Sequence, residues 1–173
     1  MIRMFPTHIE DAKIYDADNN MELIGVATVT LPTIEKKKTT LEGMGVMGTM
    51  EFVNETNIEN MTVSLTFRGI TDKNPNLLKG NKTLEMRAAL NFYDSALKTY
   101  TEKQFRAVTS GMTSSFEMGD IEISSTMSLK VEMNLQSYKV WLDKKSKIEI
   151  DVLNGIYKID GTDLRQTIND IVG

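Results

Sequence analysis

The sequence contains no cysteine, and this absence excludes several classes of protein at once. Disulfide frameworks, thiolate zinc sites, iron–sulfur ligation and cysteine nucleophiles all depend on cysteine. Histidine is almost as scarce, because His8 is the only one among 173 residues. Its position beside Pro6 and Thr7 is typical of a surface or capping residue and not of a catalytic base. We therefore expect a protein that is not an enzyme and needs no cofactor.

Carboxylates are present in clusters, but none of the clusters has the pattern of a metal site. The tract Asp16–Asn20 resembles the opening of an EF-hand loop, yet Met21 stands where that loop needs its glycine. The glycine-rich segment 43–48 has no lysine followed by serine or threonine, so it does not match a phosphate-binding loop. These patterns favour an acidic turn and a flexible connection, with no metal bound.

Long hydrophobic runs are also missing, and the segment MIRMFPTHIED lacks a hydrophobic signal core. We expect a chain that is made in the cytoplasm and does not insert into a membrane. The formal net charge of −4 disfavours a dedicated duplex-binding protein. A hydrophobic fraction of 40% in a chain of this length predicts one folded domain over residues 1–173.

Methionine and glycine are concentrated in one short part of the chain. Met44, Met47 and Met50 alternate with three glycines in the segment LEGMGVMGTMEF, residues 41–52. No helical or strand periodicity survives there, so the segment predicts a long flexible loop. Flexible, polarizable methionine side chains suit adaptable contact surfaces.

Most of the remaining sequence alternates between apolar and polar residues with the period of a β-strand. A clear case is 59–70, where Met61, Val63, Leu65 and Phe67 share one face. The remaining predicted segments are, in chain order, two extended pieces over 22–37 interrupted at Pro32, a connection at 71–81, a hairpin of 83–93 and 97–108 turning at Asp94–Ser95–Ala96, a loop at 109–120, a strand at 122–135, and strands at 137–142 and 146–153 turning at Asp143–Lys144–Lys145.

The end of the sequence changes to helical periodicity. Leu164, Ile168, Ile171 and Val172 fall on one helical face, and Thr162 is placed to act as N-cap. We predict a short amphipathic helix that packs onto the sheet or onto a neighbouring molecule. The residues thus indicate a mainly β, antiparallel fold with a short C-terminal helix.

Two segments carry a resemblance to a known family. TVTLPTIEKKKTTLEGMGVMGTMEF (28–52) and DVLNGIYKIDGTDLRQTINDIVG (151–173) resemble the major tail tube protein of contractile-tailed bacteriophages and related phage-tail-like bacteriocins. The order of strands, turn and hairpin between them is similar as well. The chain departs from the family in a shorter segment at 71–81 and in extra acidic residues around 10–22.

The resemblance implies an antiparallel β-barrel or sandwich of the tail-tube type, assembled into six-membered rings that stack into a tube for DNA passage. The partners it implies are further copies of this chain, a sheath protein, a tape measure protein, and baseplate and tail terminator proteins, in a virion tail assembled in the bacterial cytoplasm. The loop that it implies as an inter-subunit or inter-ring contact comprises Gly43, Met44, Gly45, Val46, Met47, Gly48 and Met50. The candidate lumen-lining residues, chosen by strand parity, are Glu122, Ser124, Thr126 and Ser128.

Two other functions fit the sequence. A tube subunit of a phage-tail-like bacteriocin or of a type VI-like injection machine would look nearly the same, because only the passenger differs. A monomeric β-barrel that binds a small ligand would need an enclosed apolar pocket, and the polar faces of the predicted strands disfavour it.

Overall fold

The computed structural model describes residues 3–25, 27–45 and 47–172. Within these residues, ten strands form one antiparallel sheet in the order β12-β11-β10-β9-β8-β7-β1-β2, with β6 beside β9 and β3 beside β6. The strands β4 and β5 form a separate two-stranded hairpin. The element bounds are β1 Met4–Asp16, β2 Glu22–Leu23, β3 Ala27–Thr30, β4 Lys36–Leu41, β5 Met50–Ile58, β6 Met61–Phe67, a 3-10 helix Asn74–Leu78, β7 Asn81–Asp94, β8 Thr99–Glu117, β9 Leu129–Leu142, β10 Lys145–Asp151, β11 Ile156–Ile159, β12 Thr162–Asp163 and α1 Gln166–Val172.

The sheet forks at β9. On one side β9 pairs with β8 along its length, while on the other side its first half pairs with β6 and its second half with β10. Residues of β6, β9 and β7 that point to one side form the core, among them Leu65, Val131 and Leu84, each with no exposed surface. Burial of this apolar face is the main force that holds the sheet together. The opposite side of the same strands is polar.

The prediction of a mainly β, antiparallel fold is confirmed. The alternation at 59–70 becomes β6, in which Met61, Val63, Leu65 and Phe67 are all buried. The predicted hairpin is β7–β8, closed by the pair Asp94↔Thr99. The connection at 71–81 contains the 3-10 helix, whose Leu77 is buried in the core.

The predicted loop at 109–120 is wrong over most of its length, because β8 continues to Glu117. Two bulges, at Ser110/Gly111 and at Thr113/Ser115, shift the register of β8 against β9. The first leaves Gln136 of β9 as the extra residue and the second leaves Ser114 of β8, and each moves the following side chains of its own strand to the other face. The period-two pattern is lost in the sequence, although the strand pairing continues.

The predicted strand at 122–135 is wrong over residues 122–128, since β9 begins only at Leu129. Ser124 has a φ of 67°, and the backbone N–H of Ser125 donates to the carbonyl oxygen of Glu122 over 3.2 Å. This part of the chain is a turn, although its apolar and polar residues alternate as in a strand. Conversely, β9 runs through Gln136 to Leu142, where the sequence predicted two separate strands.

Four strands were not predicted at all, namely β1, β5, β11 and β12. In β1, bulges at Pro6/His8 and Ile9/Asp11 break the alternation. In β5, the polar residues around Asn54 hide the strand, so the prediction of a loop over 41–52 holds only for 42–49. Pro32 lies between β3 and β4, in agreement with the predicted interruption.

The turns and the helix of the last third are partly as predicted. Asp143 and Lys144 have φ values of 51° and 65°, typical of a two-residue hairpin turn, and β10 begins at Lys145. The prediction of Thr162 as N-cap is wrong, because Thr162 belongs to β12 and pairs with Ile159. Helix α1 begins at Gln166 and buries none of its residues in the subunit. No helix among the described residues is long and apolar enough to cross a membrane.

Candidate assembly surfaces

The hairpin of β4, the loop 42–49 and β5 projects from the subunit, and we call it the arm (residues 36–58). At its tip the glycines adopt backbone angles that other residues rarely take, with φ of 147° at Gly43, 94° at Gly45 and 111° at Gly48. Met44 and Met47 are fully exposed. A tip built in this way presents apolar side chains on a backbone that can adapt to a neighbouring surface.

The two faces of the arm differ in polarity. The pair Leu41↔Met50 and the side chain of Phe52 lie on one face, and all three are about half exposed. Lys38 and Glu51 lie on the other face and form an ion pair of 3.3 Å. An exposed apolar face continuous with the apolar tip is typical of a surface that is covered in an assembly.

The outer edge of β1 is a second surface that can pair with another molecule. Strand β2 covers it only at Tyr15 and Asp16. Toward the N-terminal end, no described strand pairs with this edge from Met4 to Lys13. Open edges of this length are templates for strand addition.

The polar side of β6–β10, which we call the polar face, carries hydroxyl, amide and charged side chains. At its centre Thr62 donates to Oδ1 of Asn134 over 3.3 Å, and Asn60 donates to the same oxygen over 3.0 Å. The members of the polar face used below are Thr62, Ser64, Thr66, Glu85, Arg87, Arg106, Glu117, Lys130, Glu132, Asn134, Lys139 and Glu149.

Glu85 is the most buried charged residue of the polar face, with 3% of its surface exposed. Arg106 donates to both of its carboxylate oxygens, over 2.8 and 2.7 Å, and Arg87 donates over 2.6 Å. The hydrogen bond from Arg106 does most to lower the pKa of Glu85, burial works against it, and Arg87 adds to the lowering. The Arg106 guanidinium also lies 4.7 Å from the ring centroid of Trp141. This network fixes both arginines in place.

Every lysine and arginine that β6–β10 place on the polar face, all within the described residues, has a carboxylate partner. Besides the two arginines on Glu85, Lys130 lies 2.7 Å from Glu132 and Lys139 lies 2.8 Å from Glu149. Four carboxylates, of Glu85, Glu117, Glu132 and Glu149, balance these four cations, so a phosphate would meet no net positive charge on this face.

The chain matches the family model described as phage tail tube protein FII over residues 6–173. It belongs to the phage tail tube protein FII family. No curated protein matches the chain. Tail tube proteins are structural components of the virion tail, and membership implies assembly into a tube with other tail components. The resemblance seen in the sequence is thus confirmed.

The structure places the loop residues of this tail tube protein together at the end of the arm. Gly43, Met44, Gly45, Met47 and Gly48 form the tip, while Met50 begins β5. Val46, which the prediction included, lies outside the described residues. An inter-subunit role for the loop stays a prediction.

The four candidate lumen residues, Glu122, Ser124, Thr126 and Ser128, do not lie on a strand. All are exposed in the segment 118–128, beside Ile121 and Ile123, whose side chains are more than nine-tenths exposed. The strand parity on which they were chosen therefore does not apply. The sequence missed the polar face as a unit, because β6, β7 and β9 are brought side by side only by the fold.

His8 forms a 2.8 Å contact with Glu10, whose carboxylate also accepts from Asn91, and both His8 and Glu10 are exposed. Among the described residues, no group of three or more metal-ligating side chains is arranged to hold an ion.

Proposed function

We propose that this tail tube protein is the inner tube subunit of a contractile tail, forming stacked hexameric rings that conduct DNA into the host cell. The observation that carries the proposal is the arm, whose apolar face and methionine tip no described part of the subunit covers. Such a surface is costly in a solitary protein and useful in a polymer. Sixfold rings and a contractile tail follow from the resemblance of segments 28–52 and 151–173.

The arm contacts a neighbouring subunit or the next ring. Met44 and Met47 fill irregular pockets there, the glycines of the tip permit close backbone approach, and Leu41, Met50 and Phe52 lose their exposure to water. Within a ring, the open edge of β1 pairs with a strand of the adjacent copy, which extends the sheet around the channel.

The polar face lines the channel. Its hydroxyl and amide groups stay hydrated, and its paired cations do not hold phosphates. We favour the polar face over Glu122, Ser124, Thr126 and Ser128 for this role. Those four residues are exposed and remain candidates for the channel or for contacts between rings. Outside the channel, the partners are the sheath, baseplate and terminator proteins, and inside it the tape measure protein before DNA enters.

Electron microscopy of the purified protein tests the proposal. At high concentration, negative-stain images should show rings with six subunits or hollow tubes. A compact monomer at every concentration would contradict the proposal. A tube with another symmetry would contradict the hexamer alone. Genes for a capsid beside this gene would favour an intact phage over a bacteriocin or injection machine.

Deletion of residues 43–48 tests the role of the tip. We expect a folded subunit with an unchanged thermal transition that no longer forms stacked tubes, because the arm cannot reach its partner. The double variant Met44→Ser/Met47→Ser keeps the length of the arm and should weaken stacking less than the deletion. Tubes that form normally from the deletion variant would refute this role.

A further inference from the structure

Where the arm joins the subunit, its two strands are badly matched in length. Lys36 pairs with Ile58 and Lys38 pairs with Val53, so the four residues 54–57 of β5 face the single residue Lys37. A bulge of this size interrupts the ladder and allows the two sides of it to bend relative to each other. The outer part of the arm is thus joined to the subunit through a potential hinge.

Inside the bulge, Asn54 organises the backbone. Its Oδ1 accepts from the backbone N–H groups of Thr56 and Asn57 and from the hydroxyl of Thr56, over 3.0 to 3.1 Å. These bonds define the shape of the bulge, but they do not connect it to the rest of the subunit. By themselves they leave the direction of the arm undetermined.

Arg165 supplies the connection from a distance of more than one hundred positions in the sequence. Its Nη1 donates to the carbonyl oxygen of Thr56 over 3.2 Å and to Oδ1 of Asn57 over 3.0 Å. Among the described residues, these are the only side-chain hydrogen bonds between the arm and the rest of the subunit. Both acceptors belong to the bulge.

Arg165 is itself held firmly. Its backbone N–H donates to Asp163, the backbone N–H of Leu164 donates to Tyr157 in β11, and Asn169 of α1 donates to Gly155. The side chain borders a cavity of about 260 Å³ between the arm and β10–β11, and its Nε is buried without an acceptor. Both hydrogen bonds of Arg165 to the arm are therefore made by Nη1.

We propose that Arg165 is a positioning residue that sets the angle of the arm, so that the C-terminal segment aims the apolar tip at the neighbouring subunit. The aiming of the tip at a neighbour rests on the proposed tube function. The contact of Arg165 with Thr56 and Asn57, which we call the clamp, does not. The two N–H groups of Nη1 have directions fixed by the guanidinium plane, whereas the three N–H groups of a lysine ammonium rotate on a flexible stem.

Distance measurement by pulsed electron paramagnetic resonance tests the clamp. The chain has no cysteine, so Thr40→Cys on the arm and Ser146→Cys on β10, both exposed, accept spin labels specifically. Labelled subunit diluted into unlabelled subunit should give a narrow distance distribution. Arg165→Ala and Arg165→Lys should broaden it, and Asn57→Ala should broaden it less, because the Thr56 carbonyl remains as an acceptor.

Asp160→Asn is the matched control, since it removes a charge-assisted contact, the 2.6 Å ion pair with Lys147, without touching Arg165 or the arm. Its distribution should equal that of the unsubstituted protein. If Arg165→Ala is poorly folded by circular dichroism, Arg165→Lys and Asn57→Ala decide the matter. A distribution that is the same in all folded variants would overturn the clamp.

Assembly supplies the second measurement. The lowest concentration at which tubes form should rise about tenfold or more in Arg165→Ala, as expected for loss of a charge-assisted contact, and stay unchanged in Asp160→Asn. Equal thresholds in a variant with a broadened arm would refute the aiming role. If the unsubstituted protein forms no tubes, the proposed function fails, while the distance distributions still decide whether Arg165 holds the arm.

Discussion

Glu85 shows how one residue can control the charge of a whole surface. Its carboxylate is buried, yet it lies between two arginines that are about 40% and 46% exposed. Without Glu85, both guanidinium groups would face the solvent as unpaired cations. The residue therefore couples the stability of the subunit to the neutrality of the polar face.

The substitution Glu85→Gln should lower the free energy of unfolding by about 1–3 kcal/mol, because it keeps the shape but removes a buried charged acceptor of three hydrogen bonds. Denaturant titration of the unassembled subunit measures this. Glu149→Gln removes a more exposed pair with Lys139 and should cost less than about 1 kcal/mol. Equal effects of the two variants would contradict the special role of Glu85.

Glu85 should also make the stability of the subunit depend on pH. The pKa of Glu85 in the folded subunit lies below its ordinary value of 4.5. Its stabilising effect is thus complete above that ordinary value and is lost as the pH falls through the folded pKa. Glu85→Gln should show a shallower loss of stability in acid than the unsubstituted protein. The variant should still lose some stability in acid, because the pKa of Asp94 is also lowered in the folded subunit. Burial acts to raise that pKa, but the backbone N–H groups of Leu97 and Ala96 and the side chain of Arg3 outweigh it.

At the scale of elements, uninterrupted strands could be predicted from sequence and bulged strands could not. β6 has no bulge, and its alternation gave both the strand and its buried face. β1, β8 and β9 each contain register shifts, and those shifts exchange the faces within one strand. At 122–128 the sequence alternates without forming a strand, because none of the described strands pairs with this segment.

Among the candidate surfaces, too, only the one formed by residues close together in the sequence could be predicted. Glycine and methionine marked the tip of the arm directly, since both residue types cluster in a few positions. The polar face and the contact of Arg165 with Thr56 depend on partners far apart in the sequence. Local patterns contain no information about such pairings until the strand register is known.

Gly111 allows β8 to stay paired with β9 through its first bulge. A Cβ built at this position would lie 2.1 Å from the carbonyl oxygen of Asn134, which is backbone and cannot move aside. Gly111→Ala should therefore destabilise the subunit by about 3 kcal/mol or more. Gly80→Ala, where no atom lies within 4 Å but φ is 63°, should cost only about 1–2 kcal/mol. Thermal unfolding compares the two, and a smaller effect at Gly111 would contradict this account of the bulge.

At the scale of the whole molecule, the fold places exposed apolar groups and the polar face on different parts of the subunit. Exposed apolar groups are found on the arm, on α1 at Ile171 and Val172, and in the segment 118–128. The polar face instead carries cations already bound to carboxylates. The proposed function needs both, because the subunit would have to adhere to its own copies without adhering to the DNA that passes through the tube.

Release of one cation on the polar face tests this separation in assembled tubes. Lys130 is bound to Glu132 and lies near Glu117, and these carboxylates raise its pKa. In Glu117→Gln/Glu132→Gln it becomes an unpaired cation, which the proposed assembly would repeat in every copy around its channel. Such tubes should retain end-labelled duplex DNA on sedimentation at about 50 mM salt and release it at about 200 mM, since phosphate binding by lysine is strongly salt-dependent.

The matched control frees a lysine elsewhere. Glu51→Gln breaks the 3.3 Å ion pair with Lys38 on the arm, which is longer than the 2.7 Å pair of Lys130 with Glu132 and has more exposed side chains. If the polar face lines the channel, DNA should be retained by the Glu117→Gln/Glu132→Gln tubes and by neither the control nor the unsubstituted tubes. Equal retention by both variants would mean that DNA meets any exposed lysine on the tube. No retention by either would place the polar face outside the path of the DNA.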